Sequence, residues 1–238
     1  MTGQANQEYE YCATLVRVRD EDRWLASRYA EPERRRVLMA LYAFHGELRR
    51  IPASVSEPPL GEIRLQWWRE GLAEIRDGRP SRAHPVLLEL AAAGLASEKF
   101  KQQIDTMIDA AARPLYGEGF AEVADLTDWL ARIDGAVDGL AALALGVGGQ
   151  ADIAARAGTG FALAREGRHW APALETEIMR CALSIATETS PALRKAPAKL
   201  SPALLHMSLT RSYAMRGEKP FPLAKRLQLF LAMGFGRF

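Results

Sequence analysis

Residues 40–70 read ALYAFHGELRRIPASVSEPPLGEIRLQWWRE, and the prolines in this stretch decide the fold class. Leu38, Leu41, Tyr42 and Leu48 recur at helical spacing upstream of Pro52, so they predict one apolar helical stripe. Pro32 suits the first turn of that helix, where its missing N–H has no partner, and Pro52 closes it. Arg34, Arg35 and Arg36 sit near its start, where they oppose the helix dipole. Pro58 or Pro59 opens the next helix, which runs to Asp77, and Gly78 can end it in the left-handed conformation. The two tryptophans, Trp67 and Trp68, point about 100 degrees apart on that helix. One therefore belongs to the core, and the other faces a pocket or a partner.

Outward from this pair, the same period recurs almost throughout, with no alternating strand and hairpin turn. The prediction is an all-α chain forming a single domain over residues 1–238. A first helix spans about Glu8 to Tyr29. Pro80 and Pro85 mark a loop, and further helices are expected over Pro85–Ser97, Glu98–Ala112, Leu126–Val147, Ala151–Gly167, Pro172–Thr187, from Pro191, over Pro202–Arg216 and over Pro220–Met233. Asp125 and Asp128 supply a cap and a dipole-compatible charge at the start of the Leu126 helix.

The totals narrow the function classes. Of 238 residues, 48% are hydrophobic and 25% charged, as expected of an average globular protein. A net charge of +2 gives no reason to expect a nucleic-acid binder. Cys12 and Cys181 fit neither a disulfide framework nor a metal motif, which favours a reducing, cytoplasmic setting. The polar N-terminus does not read as a secretory signal. The most apolar run, GLAALALGVGG at 139–149, is too short to span a bilayer, so any membrane contact is expected to be peripheral.

Several chemistries lack their signatures. His45, His84, His169 and His206 are not paired at i, i+4 and have no nearby cysteine, so they read as packing or surface residues rather than zinc ligands. There is no P-loop lysine motif and no GxSxG, and the glycines of GVGGQ read as a helix end. Two acidic pairs, Asp105 with Asp109 and Asp134 with Asp138, each place two carboxylates on one helix face. Facing each other, such pairs could hold Mg²⁺ through a diphosphate; as solvated faces they do nothing of the kind. Asp134 and Asp138 interrupt an otherwise apolar helix and would need a buried partner, with arginine the expected one.

The stretch YEYCATLVRVRDEDRWLASRYAEPERRRVLMALYAF, followed by LGEIRLQWWRE, resembles the squalene/phytoene synthase family. DWLARIDGAVDGLAALALGVGG and GTGFALAREGRHWAP continue the resemblance, which covers roughly residues 9 to 172. It implies an isoprenoid-synthase-like helical bundle around a central apolar pocket, with two Asp-rich motifs holding Mg²⁺ against a prenyl diphosphate. Placed by the YAF anchor, the aspartate positions of the first motif are Arg49 and Ala53, and Arg50 replaces a further acid. At the second motif stand Arg165, Glu166 and Arg168. ELRRIPASVSEPPLGEIRLQWW is similar to the branch containing the mitochondrial complex I assembly factor and its bacterial relatives, where the metal motifs have decayed.

The resemblance thus implies a pseudoenzyme that assists assembly of respiratory NADH dehydrogenase or binds a prenyl diphosphate or anionic lipid. Its location would be cytoplasmic, with peripheral contact at the inner face of the cytoplasmic membrane. On this reading no catalytic residue, metal or cofactor is expected, and Tyr42, Phe44, Arg49, Arg50, Gln66, Trp67, Arg69, Arg165 and Arg168 are the candidate ligand-binding residues. Internal pairing of the arginines with Asp134, Asp138, Glu47 or Glu166 is the simpler use of their charge. The competing reading is an active Mg²⁺-dependent prenyl transferase that joins isoprenyl diphosphates through Asp134 and Asp138, with Asp105 and Asp109 as further substitutes.

Overall fold

A computed structural model describes residues 2–79, 82–117, 119–216 and 222–235. Helices account for nearly all of these residues, and no strand occurs among them. The chain divides into two compact units, one formed by residues 1–24 and 31–118 and the other by residues 25–30 and 119–238.

The first unit contains α1 (Thr2–Arg19), α3 (Pro32–Arg50), α4 (Pro58–Arg76), α5 (Pro85–Ala92) and α6 (Lys101–Ala112), together with the start of α2 (Glu21–Ser27). Here α3 packs against α1, α5 and α6, while α4 packs against α5 and α6. Leu38, Leu41, Phe44 and Leu48 are all fully buried, so α3 presents its expected stripe to the core. Leu65, Leu72, Leu87, Leu90, Ile104 and Ile108 complete that core from α4, α5 and α6. Pro32 and Pro58 occupy first turns, and Gly78 takes φ +68° after α4. A side chain would be strained there.

The predicted first helix is interrupted. At Asp20 the carboxylate accepts the Arg23 backbone N–H at 3.3 Å and its guanidinium at 2.7 Å, which starts α2 as a separate element. A short polar side chain competing for backbone N–H groups ends α1 although the apolar period continues.

In the second unit, α7 (Val123–Leu130) runs through a π-helical turn over residues 131–135 into α8 (Ala136–Ala144). The α7 start lies upstream of the expected Leu126, because Glu122, rather than Asp125, has the extended N-cap backbone. Then follow α9 (Ala151–Trp170), α10 (Glu175–Leu193), α11 (Ser201–Leu204), α12 (Thr210–Arg216) and α13 (Pro222–Phe235). Pro191 does not open a helix but lies inside α10, in its last turn, where only two helical residues follow it. The expected features at Pro80 and Pro220 lie outside the described residues.

Close approach through glycine organises this unit around α9. A Cβ on Gly135 would fall 2.7 Å from the Ala155 carbonyl oxygen, and one on Gly160 would fall 2.7 Å from Ile185. Glycines thus bring α9 against the π turn on one side and α10 on the other. Leu126, Leu130, Val137, Leu140, Phe161 and Leu204 fill the surrounding core, each without exposed surface. No described helix is long and apolar enough to cross a membrane.

Candidate functional site

The sequence at the C-terminal end of α3 and along α4 builds a cavity of about 310 Å³ within the first unit. Glu47 and Arg50 from the last turn of α3, with Ile51 and with Ser54 from the short 3-10 turn over Pro52–Ser54 that follows, line one wall. Arg64, Trp67 and Trp68 line the opposite wall at i, i+3, i+4, and His84 closes the site from the start of α5. Trp68 is buried and Trp67 half-buried, yet both reach the cavity.

The aromatic part is fixed by edge-to-face contacts. Ring centroids are 5.2 Å apart for Trp67 and Trp68, 5.1 Å for Trp68 and His84, and 5.6 Å for Trp67 and His84. Phe44 supports Trp68 from the core at 5.4 Å. Arg82 stacks over Trp67 at 5.1 Å and is held by Glu70 at 2.7 Å and Glu74 at 3.1 Å, so the indole is fixed from outside as well.

The polar part is unevenly compensated. Glu47 is buried and lies 3.6 Å from Arg19 and 3.5 Å from Arg50. Arg64 donates to the Ser54 hydroxyl at 2.6 Å and to its carbonyl at 3.1 Å, both neutral acceptors. His84 accepts the Val86 N–H on Nδ1 at 3.3 Å, which caps α5 and places the proton of the neutral ring on Nε2. Burial, more than its charged neighbours, lowers the His84 pKa from its ordinary value.

Of the residues singled out in the sequence, Arg50 and Trp67 line this cavity. Phe44 is buried behind it against Trp68, and Tyr42 is buried with the Arg23 guanidinium 5.6 Å from its ring. Gln66 is exposed and bonds Glu70 at 3.2 Å, while Arg69 pairs with Asp109. Arg49 is half-buried and Ala53 exposed. In the second unit, Arg165 pairs with Glu166 at 2.7 Å and stacks on Phe161 at 4.8 Å. Arg168 lies 3.6 Å from Glu175 and donates to the Tyr213 carbonyl at 3.4 Å. Asp134 and Asp138 are both fully buried, and His206 approaches Asp138 at 3.3 Å.

Arg64, Ser54, Ile51 and His84 were not singled out as site residues from the sequence. The i, i+3, i+4 spacing of Arg64 with Trp67 and Trp68 was the available signal. The contribution of His84 depends on a chain return over the α4 tryptophans, which periodicity does not reveal.

The residues present do not fit the Mg²⁺ ions that the family resemblance implies. A hard divalent ion needs several converging oxygen donors, and among the described residues no three His, Cys, Asp or Glu side chains converge. Glu47, the carboxylate next to the first-motif positions, is bracketed by two guanidinium groups, and Asp138 is approached by an imidazole.

Residues 16–184 match the squalene/phytoene synthase family. Among curated proteins, the chain is 31% identical over 119 residues to the bovine (Bos taurus) protein named NADH dehydrogenase (ubiquinone) complex I, assembly factor 6, covering 50% of this chain and 35% of that relative. It is 29% identical over 119 residues to the human (Homo sapiens) protein of that name, covering the same shares, and 29% identical over 137 residues to the mouse (Mus musculus) one, covering 58% of this chain and 41% of the relative. The chain therefore spans little more than a third of the length of these relatives. The all-helical architecture agrees with the isoprenoid-synthase-like fold of the matched family, and the match extends across more than half of the sequence: the chain belongs to the squalene/phytoene synthase family.

Proposed function

We propose that this protein is a catalytically inactive family member that assists the assembly of respiratory NADH dehydrogenase. The observation that carries the reading is the replacement of metal-binding carboxylates by Arg49, Arg50 and Ala53 in a chain similar to proteins named complex I assembly factor 6. Ionising a prenyl diphosphate needs its departing charge neutralised, a task that the family performs with carboxylate-held metal ions. Guanidinium groups in those positions repel Mg²⁺, although they could grip a phosphate directly. Such a grip favours holding a diphosphate over ionising it. An assembly role of this kind would be carried out at the inner face of the energy-transducing membrane, by a peripheral component.

Deleting the gene in its native cell tests this. The expected result is loss of fully assembled NADH dehydrogenase on native gels, with accumulation of subcomplexes and rescue by the intact gene. Normal assembly in the deletion strain overturns the role. Separately, purified protein should release no pyrophosphate from farnesyl or geranylgeranyl diphosphate with Mg²⁺; release that disappears in Asp134→Ala would instead establish an active prenyl transferase.

A further inference from the structure

We propose that the Trp67–Trp68 cavity is a binding site for a small organic anion with a flat unsaturated body, of the aromatic carboxylate class. This site shares Arg50 with the positions where the family resemblance places metal, and its other lining residues lie outside them. The cavity uses Glu47 and Arg50 of α3 with Ile51 and Ser54 just beyond its end, whereas the first-motif positions Arg49 and Ala53 do not line it. The inference does not depend on a role in complex assembly.

Charge determines the sign of the ligand. Glu47 lies between Arg19 and Arg50, so that cluster is already one positive charge in excess. Arg64 adds a second, because its contacts are the two Ser54 oxygens and, among the described residues, no carboxylate pairs with it. The Ser54 contacts also orient its guanidinium at the cavity wall. Arg50 meets Glu47 only at 3.5 Å, which leaves donors available to a second acceptor. Two guanidinium forks, one from each wall, suit a carboxylate or phosphate better than a cation, despite the indole rings.

The shape of the ligand follows from the remaining lining. Trp67, Trp68 and His84 provide ring surfaces beside Ile51, and Arg82 behind Trp67 keeps that indole in place without a ligand. A neutral His84 can donate from Nε2 and adds no charge. At about 310 Å³ the cavity is at the lower end of the roughly 300–1,000 Å³ range of small-molecule sites, which suits one or two fused rings rather than a long lipid chain.

The test is titration of the purified full chain, followed by tryptophan fluorescence and calorimetry. The probes are naphthalene-2-carboxylate, its neutral carboxamide, benzoate, indole-3-acetate and inorganic phosphate. Naphthalene-2-carboxylate should quench saturably with a Kd below about 1 mM. The carboxamide and phosphate should each bind at least about tenfold more weakly, because each lacks one half of the recognition. Arg64→Gln, at an exposed position that folding tolerates, should weaken carboxylate binding by about tenfold with little effect on the carboxamide, and Arg50→Gln should act similarly. Trp67→Phe should reduce affinity for the two-ring probe more than for benzoate. Equal binding of acid and amide overturns the proposal, as does insensitivity to both arginine substitutions. Absence of saturable binding by all three flat carboxylates also overturns it.

Discussion

His206 Nε2 lies 3.3 Å from Asp138 Oδ1, and neither side chain has exposed surface. The contact is close but outside hydrogen-bond alignment for the imidazole. Phe161 packs against the same ring at 4.9 Å, and Gly158 faces the carboxylate from α9. A polar pair is thereby built into the apolar centre of the second unit.

Removing Asp138 should leave the His206 imidazole poorly compensated. Asp138→Ala is expected to lower unfolding free energy by about 1–3 kcal/mol, measured by urea denaturation. Asp138→Asn, which keeps shape and hydrogen-bonding capacity, should recover part of the loss. An unchanged midpoint for the alanine variant would show that the pair is immaterial.

Gly158 should be intolerant for the same reason. A Cβ there falls 2.2 Å from Asp138 Oδ2, so Gly158→Ala should cost about 1–3 kcal/mol through overpacking. The penalty should shrink in the Asp138→Ala background, because the clashing atoms are gone. Strict additivity in that double-mutant cycle would contradict the contact.

In the first unit, Arg36 Nε donates to Glu89 at 2.8 Å, and Glu89 is almost fully buried on α5. The hydrogen bond to Glu89 raises the Arg36 pKa above its ordinary value. Arg36→Ala should destabilise by about 3–5 kcal/mol, as expected when a buried carboxylate loses its partner. The double change Arg36→Met with Glu89→Leu should be much milder. Thermal denaturation of the three proteins decides the matter.

Cys12 is buried, and burial followed by the nearby Glu89 charge pushes its pKa up to about 12, from an ordinary 9.0. Its contribution to stability is complete below pH 9 and is lost as pH rises towards 12, because the unfolded chain gives up the thiol proton first. Cys12→Ala should therefore flatten the alkaline limb of the stability profile. A thiol reagent at neutral pH should modify half-buried Cys181 well before Cys12.

His84 behaves oppositely. Its lowered pKa means that stability present above the ordinary histidine value is lost as pH falls through the folded one. Protonation also removes the Nδ1 lone pair that caps α5 through Val86 N–H. His84→Gln should make acid unfolding less steep between neutral pH and about pH 5, as followed by circular dichroism. An unaltered acid limb would mean that this cap carries no pH dependence.

The sequence alone determined the all-helical class, because the 3.6-residue period of apolar side chains and the placement of prolines are local properties. Pro32, Pro58 and Gly78 mark helix ends where they stand, and the family resemblance put Arg49, Arg50 and Ala53 where metal-binding carboxylates were expected. Competition between neighbours was less legible: Asp20 captures Arg23 and divides a continuous apolar pattern, while Pro191 is absorbed into a helix end. Long-range relationships were decided only by tertiary packing. His84 joins the two tryptophans, Arg64 is held by Ser54 oxygens, and Gly158 makes room for Asp138 beside His206. Each depends on where the chain returns in space, and helix periodicity describes which residues share a face without saying which other helix that face meets.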